Sequence, residues 1–141
     1  MIKKLYINYQ EFGELMNKFV EKLEKLPEIN TIKHVYGPPR GGLPIAVHVA
    51  HFLDLDFLPI FSTQIRNRIL IVDDVCDSGK TLAQLVGLKP DCIVATLFKK
   101  PRSVFQPNLY LKEVSNDTWI IFPWEKFDTP DKAYMFNSNT T

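Results

Sequence analysis

This chain is poor in the residues from which metal centres and disulfide frameworks are built. Its 141 residues include only two cysteines, Cys76 and Cys92, and three histidines. The cysteines have neither framework nor metal spacing, which excludes a disulfide-stapled fold and fits a reducing compartment, the cytoplasm. His48 and His51 stand three apart, but no third ligand has a matching spacing to them or to His34, so surface or core histidines are the preferred reading. An excess of either charge is also missing: 17 basic and 16 acidic residues leave a net charge of +1, which argues against a nucleic-acid partner or a charged membrane surface. No apolar run is long enough to span a bilayer; Met1–Leu5 begins like a signal n-region, but no h-region follows. There is no internal repeat, and the only low-complexity stretch is the polar end Asn137–Thr141, expected to fray.

What is present is ordinary globular material, 45% hydrophobic and 23% charged, in a length that suits one domain with a sizeable core. Asn8 and Glu11 have capping-box spacing. Behind them Phe12, Leu15, Met16, Phe19, Val20, Leu23 and Leu26 recur on one helical face, a stripe read as core packing rather than a cofactor box, and Pro27 ends the helix. Ile32–Tyr36 reads as a strand, Leu43–Leu53 as a helix and Phe57–Phe61 as a strand. A short polar loop, Ser62–Arg68, precedes a strand at 69–73; a helix from Lys80 to about Val86 and a strand Cys92–Phe98 follow. Alternating strands and helices imply an α/β fold with an open, mostly parallel sheet flanked by helices. The aromatic- and proline-rich stretch 105–125 reads as short strands and turns over the sheet's edge. The expected organisation is therefore a single domain, 1–141, with a core of about 28–104 and a small hood formed by about 105–125 and the N-terminal segment.

The most informative stretch is Ile69-Leu-Ile-Val-Asp-Asp-Val-Cys-Asp-Ser-Gly-Lys-Thr-Leu82. Four branched apolar residues make a strand buried on both faces. Asp73 and Asp74 stand at its expected end, and Asp77-Ser78-Gly79 turns into a helix at Lys80 and Thr81. In an open parallel sheet, ligands bind outside the carboxyl ends of strands, and a helix start attracts phosphate. Carboxylates beside an anion site suit hydroxyls or a bridging cation, so a sugar phosphate with a diol and Mg²⁺ satisfies all three features. A P-loop fails here, because it needs a glycine five positions before Gly79, where this chain has Asp74.

Two further groups carry chemistry. Pro39-Arg40-Gly41-Gly42-Leu43 follows one strand and opens a helix; its glycines permit close approach, and the guanidinium suits phosphate. Phe98-Lys99-Lys100-Pro101 and Asp117-Thr118-Trp119-Ile120-Ile121-Phe122-Pro123-Trp124-Glu125 offer what a planar base needs. Trp119 supplies a stacking face, Lys100 a donor to an exocyclic oxygen, and the Ile120 backbone an edge contact. The bland alternative makes both tryptophans buried packing and Lys100 a solvated lysine. Cys76, inside the turn, is read as packing rather than as a reactive thiol.

The 69–82 stretch resembles the PRPP (phosphoribosyl pyrophosphate) motif of type I phosphoribosyltransferases, and the Lys-Pro and Asp-Thr-Trp-Ile-x-x-Pro-Trp-Glu segments are similar to signatures of the xanthine-guanine branch. The resemblance covers roughly residues 31–125. It implies that Asp73 and Asp74 hold the ribose hydroxyls and the Mg²⁺ shell, and that Asp77, Ser78, Gly79, Lys80 and Thr81 hold the 5′-phosphate. It also implies that Arg40, Gly41 and Gly42 hold pyrophosphate in a loop that often carries a cis non-proline peptide, and that Lys100, Trp119 and Ile120 bind the base. The implied activity is that of a Mg-dependent pentosyltransferase of purine salvage: a 6-oxopurine (guanine, xanthine or hypoxanthine) displaces pyrophosphate from PRPP, with Asp77 managing the N7 proton. The family also implies a homo-oligomer, dimer or tetramer, for which Phe127, Tyr134 and Phe136 are candidate contact residues. Two departures stand out. The 62–68 loop is short for a lid, which opens the alternative of a catalytically weak PRPP- or nucleotide-binding regulatory protein. Ile121 replaces a polar or acidic residue near the base's two-position, leaving the preferred base open.

Overall fold

The computed structural model describes residues 2–125. Eleven elements follow in order: β1 (Lys3–Tyr6), α1 (Tyr9–Glu24), a 3-10 turn (Ile29–Thr31), β2 (Ile32–Tyr36), α2 (Gly42–Leu53), β3 (Asp56–Phe57), β4 (Arg68–Cys76), α3 (Lys80–Leu88), β5 (Ile93–Lys99), β6 (Leu109–Glu113) and β7 (Thr118–Ile121). β3-β2-β4-β5-β6 form one sheet and β1-β7 a two-stranded ribbon; every pairing in both is parallel. The α/β architecture with a parallel sheet is the expected one. The candidate oligomer residues Phe127, Tyr134 and Phe136 lie outside the described residues.

Side-chain alternation along the central strands builds a layer on each face of the sheet. Leu70 and Val72 of β4 join one apolar cluster with Ile45, Ala46 and Val49 of α2 and with Phe12, Met16, Phe19 and Leu23 of α1. Ile69 and Ile71 join the other, against Leu82, Leu85 and Val86 of α3 and Phe61 and Ile65 of the β3–β4 connection. Phe19, Leu23 and all four apolar residues 69–72 have no exposed surface. The capping box at the start of α1 is formed in both directions: Glu11 N–H donates to Asn8 Oδ1 at 2.7 Å and Asn8 N–H to Glu11 Oε1 at 2.9 Å.

Three expectations change. The strand expected at 57–61 is only Asp56–Phe57, because β3 is an edge with two residues in register against His34 and Val35. The irregular connection consequently runs over 58–67, longer than the expected 62–68. The motif strand does not stop at 73: β5 pairs with it through Cys76↔Lys99, so backbone pairing rather than side-chain polarity sets its end. The core also extends beyond 104, since β6 is the fifth strand of the main sheet rather than part of a hood. Within the expected hood at 105–125, β7 stands outside that sheet and pairs with β1 through Lys3↔Thr118 to Tyr6↔Ile121.

Replacing Asn8 with Ala removes one half of the capping box and should lower unfolding free energy by about 1 kcal/mol. Urea denaturation checks this: the midpoint should fall with an unchanged m-value.

Candidate active site

Strand order places the site. From β2 the chain passes through α2 to β3 on one side; from β4 it passes through α3 to β5 on the other. α2 and α3 therefore cover opposite faces, and the crevice between the ends of β2 and β4 is a topological switch point. The β2–β4 ladder ends at Tyr36↔Ile71, whereas β5 accompanies β4 five residues further. The segment Asp73–Cys76 thus keeps one edge free, and the Gly37–Gly41 loop occupies the adjoining space.

Three glycines allow that fit. A Cβ on Gly41 would lie 2.5 Å from Asp74 Oδ2 and 2.7 Å from its Oδ1, so the carboxylate packs directly over the Gly41 backbone. Gly42 and Gly37 pack backbone to backbone: a Cβ on Gly42 would be 2.8 Å from the Gly37 carbonyl carbon. Gly42 N–H donates to Pro38 O at 2.9 Å, so in this conformation Gly42 shapes the loop while its amide is engaged. The Pro39–Arg40 peptide is cis, a feature the resemblance implied, and Arg40 is exposed. Gly79 has φ +80°, and a Cβ there would collide with Ser103 Oγ and Phe105, so both conformation and space require glycine.

The carboxylates differ in environment. Asp73 Oδ1 accepts from Asp74 N–H at 2.9 Å, and Asp74 Oδ1 from Val75 N–H at 2.7 Å, which fixes both side chains by their own strand. Burial first, and the neighbouring Asp74 charge second, push the Asp73 carboxyl well above its ordinary value. Asp77 is held by two cations. Arg102 Nε and Nη2 are each 2.6 Å from Oδ1, and Lys100 Nζ is 3.4 Å from Oδ2. Lys100 is only 7% exposed, so it is no solvated end-of-strand lysine. A cavity of about 130 Å³ beside them is lined by Asp73, Asp77, Ser78, Gly79 and Thr81, among others. Lys80 is exposed at the start of α3.

The two tryptophans have different surroundings. Trp124 belongs to the core, stacked on Phe122 at 5.2 Å and edge-on to Phe12 at 4.8 Å. Trp119 is half-buried in β7 opposite Lys4 and lies in neither apolar cluster of the described residues, while its neighbour Ile120 packs partly on the core. Ile121 is buried, 2% exposed. Cys76 is also buried, with Sγ 3.1 Å from Ser103 Oγ; burial raises its thiol, which suits packing. His48 Nδ1 lies 2.6 Å from Pro44 O, and His34 faces Asp56 at 3.7 Å. Among the described residues, no three His, Cys, Asp or Glu side chains converge as a metal site.

Sequence reasoning missed Arg102, which reaches Asp77 from the loop after β5; the one signal was its position two residues after Lys100 on the same connection. It also gave no role to Glu125, half-buried, whose carboxyl burial raises, with the Asp74 and Arg40 charges acting on it in opposite senses.

Over 121 residues the chain is 35% identical to the xanthine-guanine phosphoribosyltransferase of Cereibacter sphaeroides, covering 70% of this chain and 72% of that protein. In structure it is similar to a purine phosphoribosyltransferase from Pyrococcus horikoshii, with a TM-score of 0.75, 27% identity, and coverage of 91% of this chain and 97% of that one. The xanthine-guanine-hypoxanthine phosphoribosyltransferase of Helicobacter pylori, at 22% identity, shares the fold with a TM-score of 0.72 over 88% of this chain and 95% of that one. No protein-family model matches the chain.

The raised Asp73 carboxyl has a sign that can be measured. The folded chain binds this proton more tightly than the unfolded chain, so stability falls as pH rises from about 4 towards the raised folded value. Asp73→Asn removes that penalty. Its urea midpoint at pH 7 should exceed that of the parent without ligand, and the gain should vanish below about pH 4; a lower midpoint at pH 7 contradicts the assignment.

Proposed function

The chain belongs to the type I phosphoribosyltransferase family, close to the xanthine-guanine enzymes, and from that premise we propose that it transfers the phosphoribosyl group of PRPP to a 6-oxopurine, guanine, xanthine or hypoxanthine, in purine salvage in the cytoplasm. The observation that carries the reading is the meeting of three loops of different chemistry at one end of the sheet. An Arg-Gly-Gly loop follows β2, a carboxylate-rich turn and helix start follow β4, and a buried lysine follows β5.

Arg40 and Gly41 hold the departing pyrophosphate, with Gly42 keeping the loop close. Asp73 and Asp74 accept from the ribose 2′- and 3′-hydroxyls, a use that suits carboxyl groups fixed by their own strand. Ser78, Gly79, Lys80 and Thr81 hold the 5′-phosphate in the adjoining cavity, where a helix start contributes its amides. Trp119 stacks on the purine and the Ile120 backbone meets its edge. Lys100 donates to the 6-oxygen; an ammonium has no acceptor for a 6-amino group, so adenine is rejected. Asp77, beside Lys100, takes the N7 proton. Catalysis then comes mainly from positioning both partners while positive charge develops at the anomeric carbon.

Mg²⁺ fits the donor set. Asp73 is raised by burial and by Asp74, an electrostatic conflict that a cation would relieve, and carboxylate oxygens are the hard donors that Mg²⁺ takes. When bound, Mg²⁺ supplies charge neutralisation for pyrophosphate. The same reading includes a homo-oligomer, dimer or tetramer. A second reading, a nucleotide-binding regulatory protein on this fold, is favoured by the 58–67 connection, which offers little chain with which to close over a reacting centre.

Pyrophosphate release from PRPP and Mg²⁺, with guanine, xanthine, hypoxanthine or adenine added singly, separates the two. Turnover should require a 6-oxopurine, fall by about 10²–10⁴ in Asp77→Asn, and in Lys100→Ala lose guanine use far more than PRPP binding. Tight PRPP binding with no base-dependent turnover would transfer the protein to the regulatory reading.

A further inference from the structure

The cavity assigned to the 5′-phosphate carries the wrong charge. Asp73 and Asp77 line it, and no lysine or arginine is among its lining residues. A phosphate entering between Ser78, Gly79 and Thr81 therefore faces two acidic side chains at close range, and the Asp77 charge repels it in a half-buried setting that screens poorly. Hydroxyls, helix-start amides and Lys80, which is exposed and outside the lining, are a weak answer to that repulsion.

The answer comes from the next loop. Arg102 places Nε and Nη2 at 2.6 Å from one oxygen of Asp77, while Lys100 approaches the other at 3.4 Å. Arg102 is no loosely attached surface residue, although its side chain is half exposed. Its N–H donates to Asn116 Oδ1 at 2.9 Å, which ties it to the turn before β7. Two residues on, Val104 N–H donates to Ser78 O at 2.9 Å, and Ser103 packs against Gly79. The loop after β5 is thus sewn onto the phosphate turn, and the guanidinium is delivered to Asp77 by backbone bonds on either side of it.

We propose that Arg102 is the counter-ion of the phosphate pocket, a positioning residue that acts through Asp77: by pairing with that carboxylate from outside the cavity, it makes an acid-lined pocket able to accept a phosphate monoester. This rests on the proposed function for the identity of the ligand. The pairing also fixes the orientation of Asp77, leaving Lys100 on its second oxygen.

The test is a double-mutant cycle read by calorimetric titration of ribose 5-phosphate, with ribose as the phosphate-free control, on the parent chain, Arg102→Ala, Arg102→Lys, Asp77→Asn and the Asp77→Asn/Arg102→Ala pair. Arg102→Ala should weaken ribose 5-phosphate by about tenfold or more, with most of the affinity restored in Arg102→Lys. In the Asp77→Asn background the same arginine deletion should have little effect, because the charge it offsets is gone. An equal loss in both backgrounds would overturn the proposal, since it would mean direct phosphate contact or collapse of the loop, as would no loss in the parent background. Failure of the parent chain to bind any phosphate monoester would overturn the proposed function as well, which distinguishes the two failures.

Discussion

Everything at the site depends on β4 outlasting β2. The ladder between them stops at Ile71, yet hydrogen bonds to β5 carry β4 on to Cys76. Asp73 and Asp74 are therefore held by a strand on one side and open on the other, a state that neither a loop nor a central strand offers. The open side is filled by backbone, because Gly41 has no Cβ where the Asp74 carboxylate lies. One pairing difference between two neighbouring strands thus creates the crevice, orients the acids and brings the Arg40 loop against them.

The arrangement concentrates charge where charge is costly. Asp73 is partly buried beside Asp74, and Asp77 has two cations around it. The setting of Asp73 lowers the stability of the empty protein and is tolerable because the remainder of the sheet is so thoroughly apolar: residues 69–72 of β4 and all of β5 are buried. Ligands that bind only the folded chain return stability through mass action. The two apolar layers and the ion-rich edge are, in this sense, parts of one energy balance.

The sequence was most legible where one physical signal dominated. The capping box at Asn8 and the stripe behind it fixed α1, and the branched run at 69–72 fixed the central strand, because periodicity and composition point the same way there. The turn Asp77–Gly79 falls between β4 and α3 as the composition suggests, although β4 runs on to Cys76 and keeps Asp73 and Asp74 within the strand. What could not be read were features decided by partners distant in sequence. The length of β3 follows from its being an edge, the end of β4 from its pairing with β5, and the place of β6 from a vacant edge beside β5. Arg102 was missed because its meaning lies in Asp77, 25 residues earlier. Trp119 and Trp124 look alike in sequence and separate only once β7 pairs with β1 and Trp124 stacks on Phe122.

The most direct measurement is a crystal structure of the protein with PRPP and Mg²⁺. A single PRPP should lie across the β2–β4 crevice, with its 5′-phosphate among Ser78, Gly79 and Thr81, its ribose hydroxyls on Asp73 and Asp74, and its pyrophosphate against Arg40 and Gly41. PRPP bound elsewhere, or reversed so that pyrophosphate occupies the Ser78–Thr81 turn, would contradict the idea that the early end of β2 and the long reach of β4 exist to hold this substrate.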